Sequence, residues 1–345
     1  MQLHTIGIDL GKAVFHLVGL NPRAEVVVRK KFSRKQLLLF TANLEVELIG
    51  MEACGGSHFL GRALREQGHE VRLMPAQYVK PYVKTNKSDY IDAEAIAEAV
   101  GQPKMRFVPI KSDDQLDLQS LHRLRERWVM RRTAVINQTR CLLLERGITV
   151  RKGRRHIDAA LPGILEDTSN QLPGALRPLL VQLKPELNHL QMRIDEVDAM
   201  INKAAGENEV CRRLVAVPGI GPVTATAIIA AIGNGAAFKK GRGFSAWLGI
   251  VPGEYTTGGK QKLLGISKRG NSYLRRLFVQ GARAVLQQSA KQSSGLSAWL
   301  AQLTTRAHNN VVAVALANKL ARMAWAVLAK NEPYRPPIAV GAATA

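Results

Sequence analysis

TIGIDLGKAVFHLVGL, residues 5–20, reads as a strand, a tight turn and a returning strand, with one carboxylate, Asp9, near its middle. Ile6 and Ile8 suit a buried strand, and Val14, Phe15, Leu17 and Val18 suit its return. Gly7 and Gly11 let the backbone turn closely. A carboxylate buried in such a hairpin is costly unless something pairs with it. Asp9 is therefore either a solvent-facing residue at a strand end or a group held by a cation.

Working outward, EVVVRKKF (residues 25–32) is a third strand, and Ser33 opens a short helix through Gln36, Leu38 and Phe40. EVELIGMEA (45–53) is an apolar strand, GSHFLGRALREQG (56–68) a helix closing at Gly68, and HEVRLMP (69–75) another strand. Antiparallel strands followed by alternating strand and helix predict an α/β sheet with a parallel continuation and sites at the carboxyl ends of its strands. Glu52 stands at such an end, after Leu48, Ile49 and Met51 and before Gly55 and Gly56. KTNKSDYIDAEAIAEAV (84–100) then places Asp89 and Asp92 on one face of the first turn of a helix capped by Ser88 or Asp89. The helix N-terminus offsets their repulsion by ~0.3–1 kcal/mol per charge, so capping alone is one explanation. The other is that Asp9, Glu52, Asp89 and Asp92 converge, as carboxylates do around two divalent metals in an RNase H-like sheet.

Charge bears on the choice. The 345 residues hold 49 Lys and Arg against 27 Asp and Glu, a net +22 with a pI near 10.3. That excess favours a polyanion, nucleic acid before an anionic membrane. No run of eighteen apolar residues exists and MQLHTIGID enters a strand at once, so neither a membrane span nor a signal peptide is expected. The chain reads as cytoplasmic and associated with the bacterial nucleoid. Three scattered Cys and eight scattered His argue against a disulfide framework or a thiolate zinc site. A metal would then be a hard cation on oxygen ligands, Mg²⁺ or Mn²⁺. With only 5% aromatic residues, the charge suits backbone grip on double-stranded DNA better than single-strand stacking.

From Asp113 the chain turns helical. Leu121, Trp128, Val135 and Leu142 recur every seven residues, although Arg131 and Gln138 spoil the second stripe, which predicts a long and partly exposed helix. A basic loop, RKGRRH (151–156), follows. Leu176, Leu180, Leu183, Leu187, Leu190, Ile194, Val197 and Ile201 then alternate steps of four and three, a coiled-coil seam that either closes an antiparallel hairpin or joins two chains. Pro185 is expected to kink or restart that helix. In AVPGIGPVTATAIIAAIG (216–233), Gly219 and Gly221 read as a helix-hairpin-helix turn whose N–H groups approach a phosphate, or as a structural tight turn. Phe238, Phe244, Trp247 and Leu248 mark a short apolar helix. VPGEYTTGGKQKLLGISKRGNSYLRRLF (251–278) reads as glycine-punctuated loops and a helix. Its Lys260, Lys262, Lys268, Arg269, Arg275 and Arg276 are phosphate contacts or a solvated basic face. Two apolar helices, with Trp299, Met323 and Trp325 as core, close that domain, and the tail from Glu332 is expected to be disordered.

GIDLGK, MEACGGSHF and KSDYIDAEA resemble the three N-terminal blocks of the insertion-sequence 110 family of DEDD transposases, nearest its 1111 subgroup. SKRGNSYLRR resembles part of its C-terminal domain. The likeness runs from residue 3 to about residue 330. It implies a RuvC-like DEDD catalytic domain over 1–110, a coiled-coil region over 111–206, a mostly helical C-terminal transposase domain over 207–331 and a tail over 332–345. The DEDD quartet becomes Asp9, Glu52, Asp89 and Asp92, holding Mg²⁺. In the family a serine just before a glycine attacks DNA and becomes covalently linked to it. Here the chain has Thr256, Thr257, Gly258 and Gly259, so Thr257 is the match, Thr256 the fallback and Ser267 a third candidate or a phosphate contact. A threonine hydroxyl can attack, but its methyl restricts χ1 and crowds the approach. The resemblance further implies a recombinase that excises and inserts its own element. A structured guide RNA directs it, and it works as a dimer or tetramer through a Holliday junction, with Thr257 supplied by a partner protomer. A junction-resolving or RNase H-like nuclease would use the same carboxylates with water as nucleophile. A sugar-kinase or actin-like ATPase would explain GIDLGK but lacks later glycine-rich loops here, and a non-enzymatic nucleic-acid scaffold would need no Asp9.

Overall fold

The protein is described over residues 3–84, 88–288 and 295–336 in a computed structural model. The chain divides into two compact units, Met1–Asp113 and Asp114–Ala345. In the first, β1 (Thr5–Leu10), β2 (Phe15–Leu20) and β3 (Val26–Phe32) form an antiparallel meander. Then come α1 (Arg34–Ala42), β4 (Leu48–Glu52), α2 (Ser57–Glu66), β5 (Val71–Met74), the short α3 (Ala76–Val79) with a 3₁₀ turn at Lys80–Tyr82, and α4 (Asp89–Val100). The sheet order is β3-β2-β1-β4-β5, with β4 parallel to β1 and β5 parallel to β4.

Alternation along the strands builds three layers. Ile6, Ile8, Phe15, Leu17, Ile49 and Met51 leave the sheet on one face and pack with Leu37 of α1 and Leu60 and Leu64 of α2. α1 starts where Ser33 and Gln36 close a reciprocal capping box. The opposite face takes α4 through Val18, Leu20, Ala93 and Ala97, and through Leu48, Ile96 and Val100. Gly7 lies inside β1, not in a turn. A Cβ there would sit 2.0 Å from the Ala93 carbonyl oxygen and 2.4 Å from the Ala97 nitrogen, so the glycine lets α4 rest directly on the strand backbone. Gly50 makes room for a side chain instead: a Cβ there would sit 2.7 Å from the Val100 Cβ. Gly11 does serve the turn, donating to the Val14 carbonyl.

In the second unit α5 (Asp113–Leu144), α6 (Arg154–Glu166) and α7 (Leu176–Glu207) pack together. The segment 154–156 opens α6, so RKGRRH is only half a loop. α7 runs unbroken through Pro185. Pro185 and Val181, whose carbonyl loses its partner, are both exposed, so water reaches the freed group while Leu180, Leu187 and Leu190 stay buried. α5 and α7 run antiparallel, tied by Arg125 to Asp198, Arg132 to Gln191 and Arg131 to Glu186. The seam positions Leu180, Leu187, Leu190, Ile194, Val197 and Ile201 are thus covered within one chain, the hairpin alternative.

The unit continues with α8 (Glu209–Val215), α9 (Pro222–Ile232), α10 (Gly241–Trp247), β6 (Pro252–Thr257), β7 (Lys260–Ile266), α11 (Ser272–Gln288), α12 (Gly295–Thr304) and α13 (Asn309–Lys330). The segment 252–266 is therefore a β-hairpin, where loops were expected. α13 is long and apolar enough to cross a membrane, yet Leu316, Leu320, Ala321 and Ala324 are core positions facing Phe244, Phe278 and Leu274. Trp299, Met323 and Trp325 pack against that core as expected. So does Tyr334, so the start of the tail is anchored; residues 337–345, like 85–87 of the KTNK stretch, lie outside the described residues.

His122 of α5 is buried, with Nδ1 3.0 Å from Tyr273 Oη and Nε2 3.0 Å from Thr226 Oγ1. Thr226 donates its own proton to the Pro222 carbonyl, so Nε2–H donates to Thr226 and Nδ1 accepts from Tyr273, a neutral ring. Burial, then the nearby Arg125, pushes its pKa down to about 4, against an opposing pull from Asp198.

Two expectations follow from this packing. Gly7→Ala should cost about 1–3 kcal/mol or more by forcing α4 off β1, read as a lower unfolding midpoint. In the unfolded chain His122 takes up a proton below about pH 6.5, whereas the folded ring resists until about pH 4. Stability should therefore be full above pH 6.5 and fall by about 2 kcal/mol between pH 7.5 and 5. Urea titrations at the two pH values check this, and His122→Gln should flatten the dependence.

Candidate active site

Asp9 sits at the penultimate position of β1 and, by alternation with Ile8, leaves the sheet on the α4 side. Its cross-strand partner is His16 of β2, which projects to the same side. On the other flank β1 and β4 run in parallel register through Ile8 and Met51, so Glu52 occupies the step beside Asp9. α4 delivers Asp89 and Asp92 in its first turn, with Ser88 as N-cap. His16 Nδ1 is 3.4 Å from Asp89 Oδ2, and its ring meets Tyr90 edge-on at 4.8 Å between centroids. One donor atom each from Asp9, His16 and Asp89 lies within 4.8 Å of the other two.

Three of the four expected carboxylates therefore stand at one end of the sheet, and the fourth, Asp92, follows one turn along α4. Among the described residues the tight group is Asp9, His16 and Asp89; Glu52 stands on the adjoining strand and Asp92 further along the first turn of α4. The donor set is thus not purely oxygen, because His16 joins it. Its signal was in the sequence: a short turn over Gly11–Val14 makes residue 16 the partner of residue 9.

Cys54, just past β4, reports the charge there. Cys54 is exposed, yet desolvation by the chain around it, then the fields of Glu52 and Asp9, pushes the thiol above its ordinary range.

In the second unit, β6 and β7 form an exposed ribbon closed by Gly258 and Gly259, both in the left-handed region at φ 55° and 76°, a two-residue turn of the kind hairpins favour. Register pairs Thr257 with Lys260 and Tyr255 with Lys262, so these four share one face. Thr256, Glu254, Gln261 and Leu263 share the other. The Thr256 hydroxyl donates to Glu254 Oε1 at 2.7 Å, and this bond, followed by one from Gln261, holds the Glu254 carboxyl below its usual range. The sequence signal for this ribbon is Gly-Gly between two short β-prone runs.

The remaining basic residues divide. Lys260, Lys262, Lys268 and Arg269 are exposed, and Ser267 anchors the end of the ribbon by donating its N–H to the Val251 carbonyl. Arg275 donates to the Leu248 and Arg269 carbonyls, and Arg276 pairs with Glu126 over the Tyr273 ring. Gly219, at φ 75°, meets Gly281 of α11 backbone to backbone: a Cβ would lie 2.7 Å from the Gly281 carbonyl oxygen. Gly221 caps α9 with open space beside it.

Comparison with known proteins gives this arrangement a family. Residues 6–147 match a family model described as a transposase, for the DEDD transposases of the IS110 type, and residues 211–296 match one described as "Transposase IS116/IS110/IS902 family". A probable family 20 transposase of Pseudomonas aeruginosa is 46% identical over 97% of this chain and all of its own length. The chain belongs to the IS110 family of transposases. The transposase for insertion sequence element IS1328 of Yersinia enterocolitica is 42% identical over 95% of this chain and 98% of its own. The transposase for IS1111A of Coxiella burnetii is 39% identical over 97% and 92%. In this transposase the N-terminal match spans all four carboxylates and His16. The C-terminal match spans Gly219, Gly221 and the whole ribbon.

The field at Cys54 can be measured. Glu52→Gln removes one of the two charges that raise its thiol, so more thiolate forms at pH 8 and alkylation should quicken. Iodoacetamide labelling read by peptide mass spectrometry checks this; an unchanged rate would separate Glu52 from Cys54.

Proposed function

We propose that this transposase excises and inserts its own element by cutting DNA at a divalent-metal centre held by Asp9, Glu52, Asp89 and Asp92, with the Thr257 hydroxyl as nucleophile. The observation that carries the reading is the meeting of Asp9 and Asp89 on the α4 side of the sheet, with Glu52 on the adjoining strand end. The strand order and the crossing helix suit an RNase H-like, RuvC-like domain. Carboxylate oxygens crowded to this spacing fit hard dications such as Mg²⁺ or Mn²⁺. Such ions, when bound, stabilise charge on the attacking and leaving oxygens of a phosphodiester.

The chain's own groups do the rest. Thr257 lies at the ribbon tip among Lys260 and Lys262, which draw a DNA phosphate to its hydroxyl. Its Oγ bonds to phosphorus as the bond from phosphorus to one ribose oxygen breaks; the Thr257 proton passes to water, and the departing ribose oxygen takes a proton from water to leave as a hydroxyl. The new phosphothreonine keeps the strand ready for rejoining. Thr256 is less suited, because its Glu254 partner repels phosphate and is held too acidic to be a good base. In this reading Thr257 serves the carboxylates of a partner protomer, and a structured RNA from the element selects the target. The +22 charge supports a load of nucleic acid beyond one duplex. The threonine's extra methyl favours the second reading, a junction nuclease using water.

Asp9→Asn should lower strand cleavage roughly 100-fold or more while duplex binding in a gel-shift assay is retained. Thr257→Ala should abolish the protein–DNA adduct on denaturing gels, and Thr257→Ser should restore it. Cleavage by Thr257→Ala at the normal rate, with no adduct in either protein, would favour the water-using nuclease.

A further inference from the structure

We propose that His16 is a nitrogen ligand at the metal centre and tilts it toward first-row transition dications over Mg²⁺; this rests on the reading of Asp9 and Asp89 as cation-holding groups. Three observations support it. Hairpin register makes His16 the direct partner of Asp9, so both leave the same face of the sheet at the same level. Its Nδ1 already stands 3.4 Å from Asp89 Oδ2, and the three donor atoms lie within 4.8 Å of one another. Opposed ligands of one small dication sit about 4.2 Å apart, so modest side-chain rotation closes the set. The ring is also held: its side chain is 15% exposed against 60% for Asp89, and it abuts the edge-on ring of Tyr90, the next residue of α4. A surface imidazole that merely balanced charge would have no need of that packing.

The chemistry follows from ligand type. Mg²⁺ prefers an all-oxygen shell and keeps much of its water, whereas imidazole nitrogen binds transition dications more strongly. Replacing one oxygen by His16 Nδ1 therefore raises affinity for Mn²⁺ or Co²⁺ relative to Mg²⁺. The same bond frees the ring from Asp89, whose carboxylate becomes a ligand in turn.

The test uses the full-length protein, prepared without a histidine tag and loaded with Mn²⁺ alone. Pulsed electron paramagnetic resonance should show modulation from a directly bound ¹⁴N. His16→Ala should lose that modulation and bind Mn²⁺ about tenfold more weakly, with Mg²⁺ affinity little changed. His16→Gln, closer in size, guards against a folding defect and should behave alike. Mn²⁺ binding that Asp9→Asn abolishes but that shows no nitrogen signal, or a signal that survives loss of His16, would overturn the role of His16 and leave the carboxylate centre standing. Mn²⁺ binding indifferent to Asp9→Asn would overturn the centre itself, and His16 with it.

Discussion

The contact on which the first unit depends is the close seating of α4 on β1 and β4. Two glycines make it, Gly7 beneath Ala93 and Ala97 and Gly50 beneath Val100. At Gly7 helix and strand backbones touch directly, and at Gly50 the Val100 side chain drops onto the strand, so the helix has one seat and little freedom within it. That seat sets where its first turn ends up, and Asp89 reaches His16 and Asp9 because of it. A site built from a strand, its hairpin partner and a helix more than sixty residues later thus inherits its geometry from apolar packing below it.

The second unit uses a similar device for a different end. Gly219 and Gly281 meet backbone to backbone and fix the turn before α9 against α11, while His122 joins α5, α9 and α11 through Thr226 and Tyr273. A buried network with every partner matched specifies one arrangement of helices. Arg275 and Arg276 are drawn into this scaffold by carbonyls and by Glu126. Lys260 and Lys262 on the ribbon, with Lys268 and Arg269 in the loop after it, stay exposed and open to a polyanion. Rigid helices carrying an exposed basic ribbon suit a protein that must grip DNA and still release it.

Much of this was legible beforehand, for a physical reason in each case. Period-two alternation in TIGIDL and FHLVGL, and the capping box at Ser33, are local signals that packing reinforced. The acidic first turn of α4 and the Glu52 strand end were visible as placements. Pro185 misled, because its helical penalty is a local cost and the burial of Leu180, Leu187 and Leu190 that offsets it lies in contacts with other helices. Gly7 misled likewise: glycine in a hairpin suggests a turn, and only the neighbouring helix reveals close approach as its use. The ribbon was missed because its residues are too polar to show apolar alternation, although Gly258 and Gly259 marked its turn.

By itself, then, the sequence determined the elements of the N-terminal sheet, the carboxylates at their ends, the basic character of the whole and the family resemblance, since all of these reside in residue type and short-range spacing. Tertiary structure alone decided that the seam of α7 is covered by its own chain, that His16 joins the acidic cluster, and that Thr256 and Thr257 face opposite ways, one to a carboxylate and one to lysines. Those outcomes depend on which surfaces meet and in what register. Such contacts link residues distant along the chain, and their energies are not written in any one stretch of it.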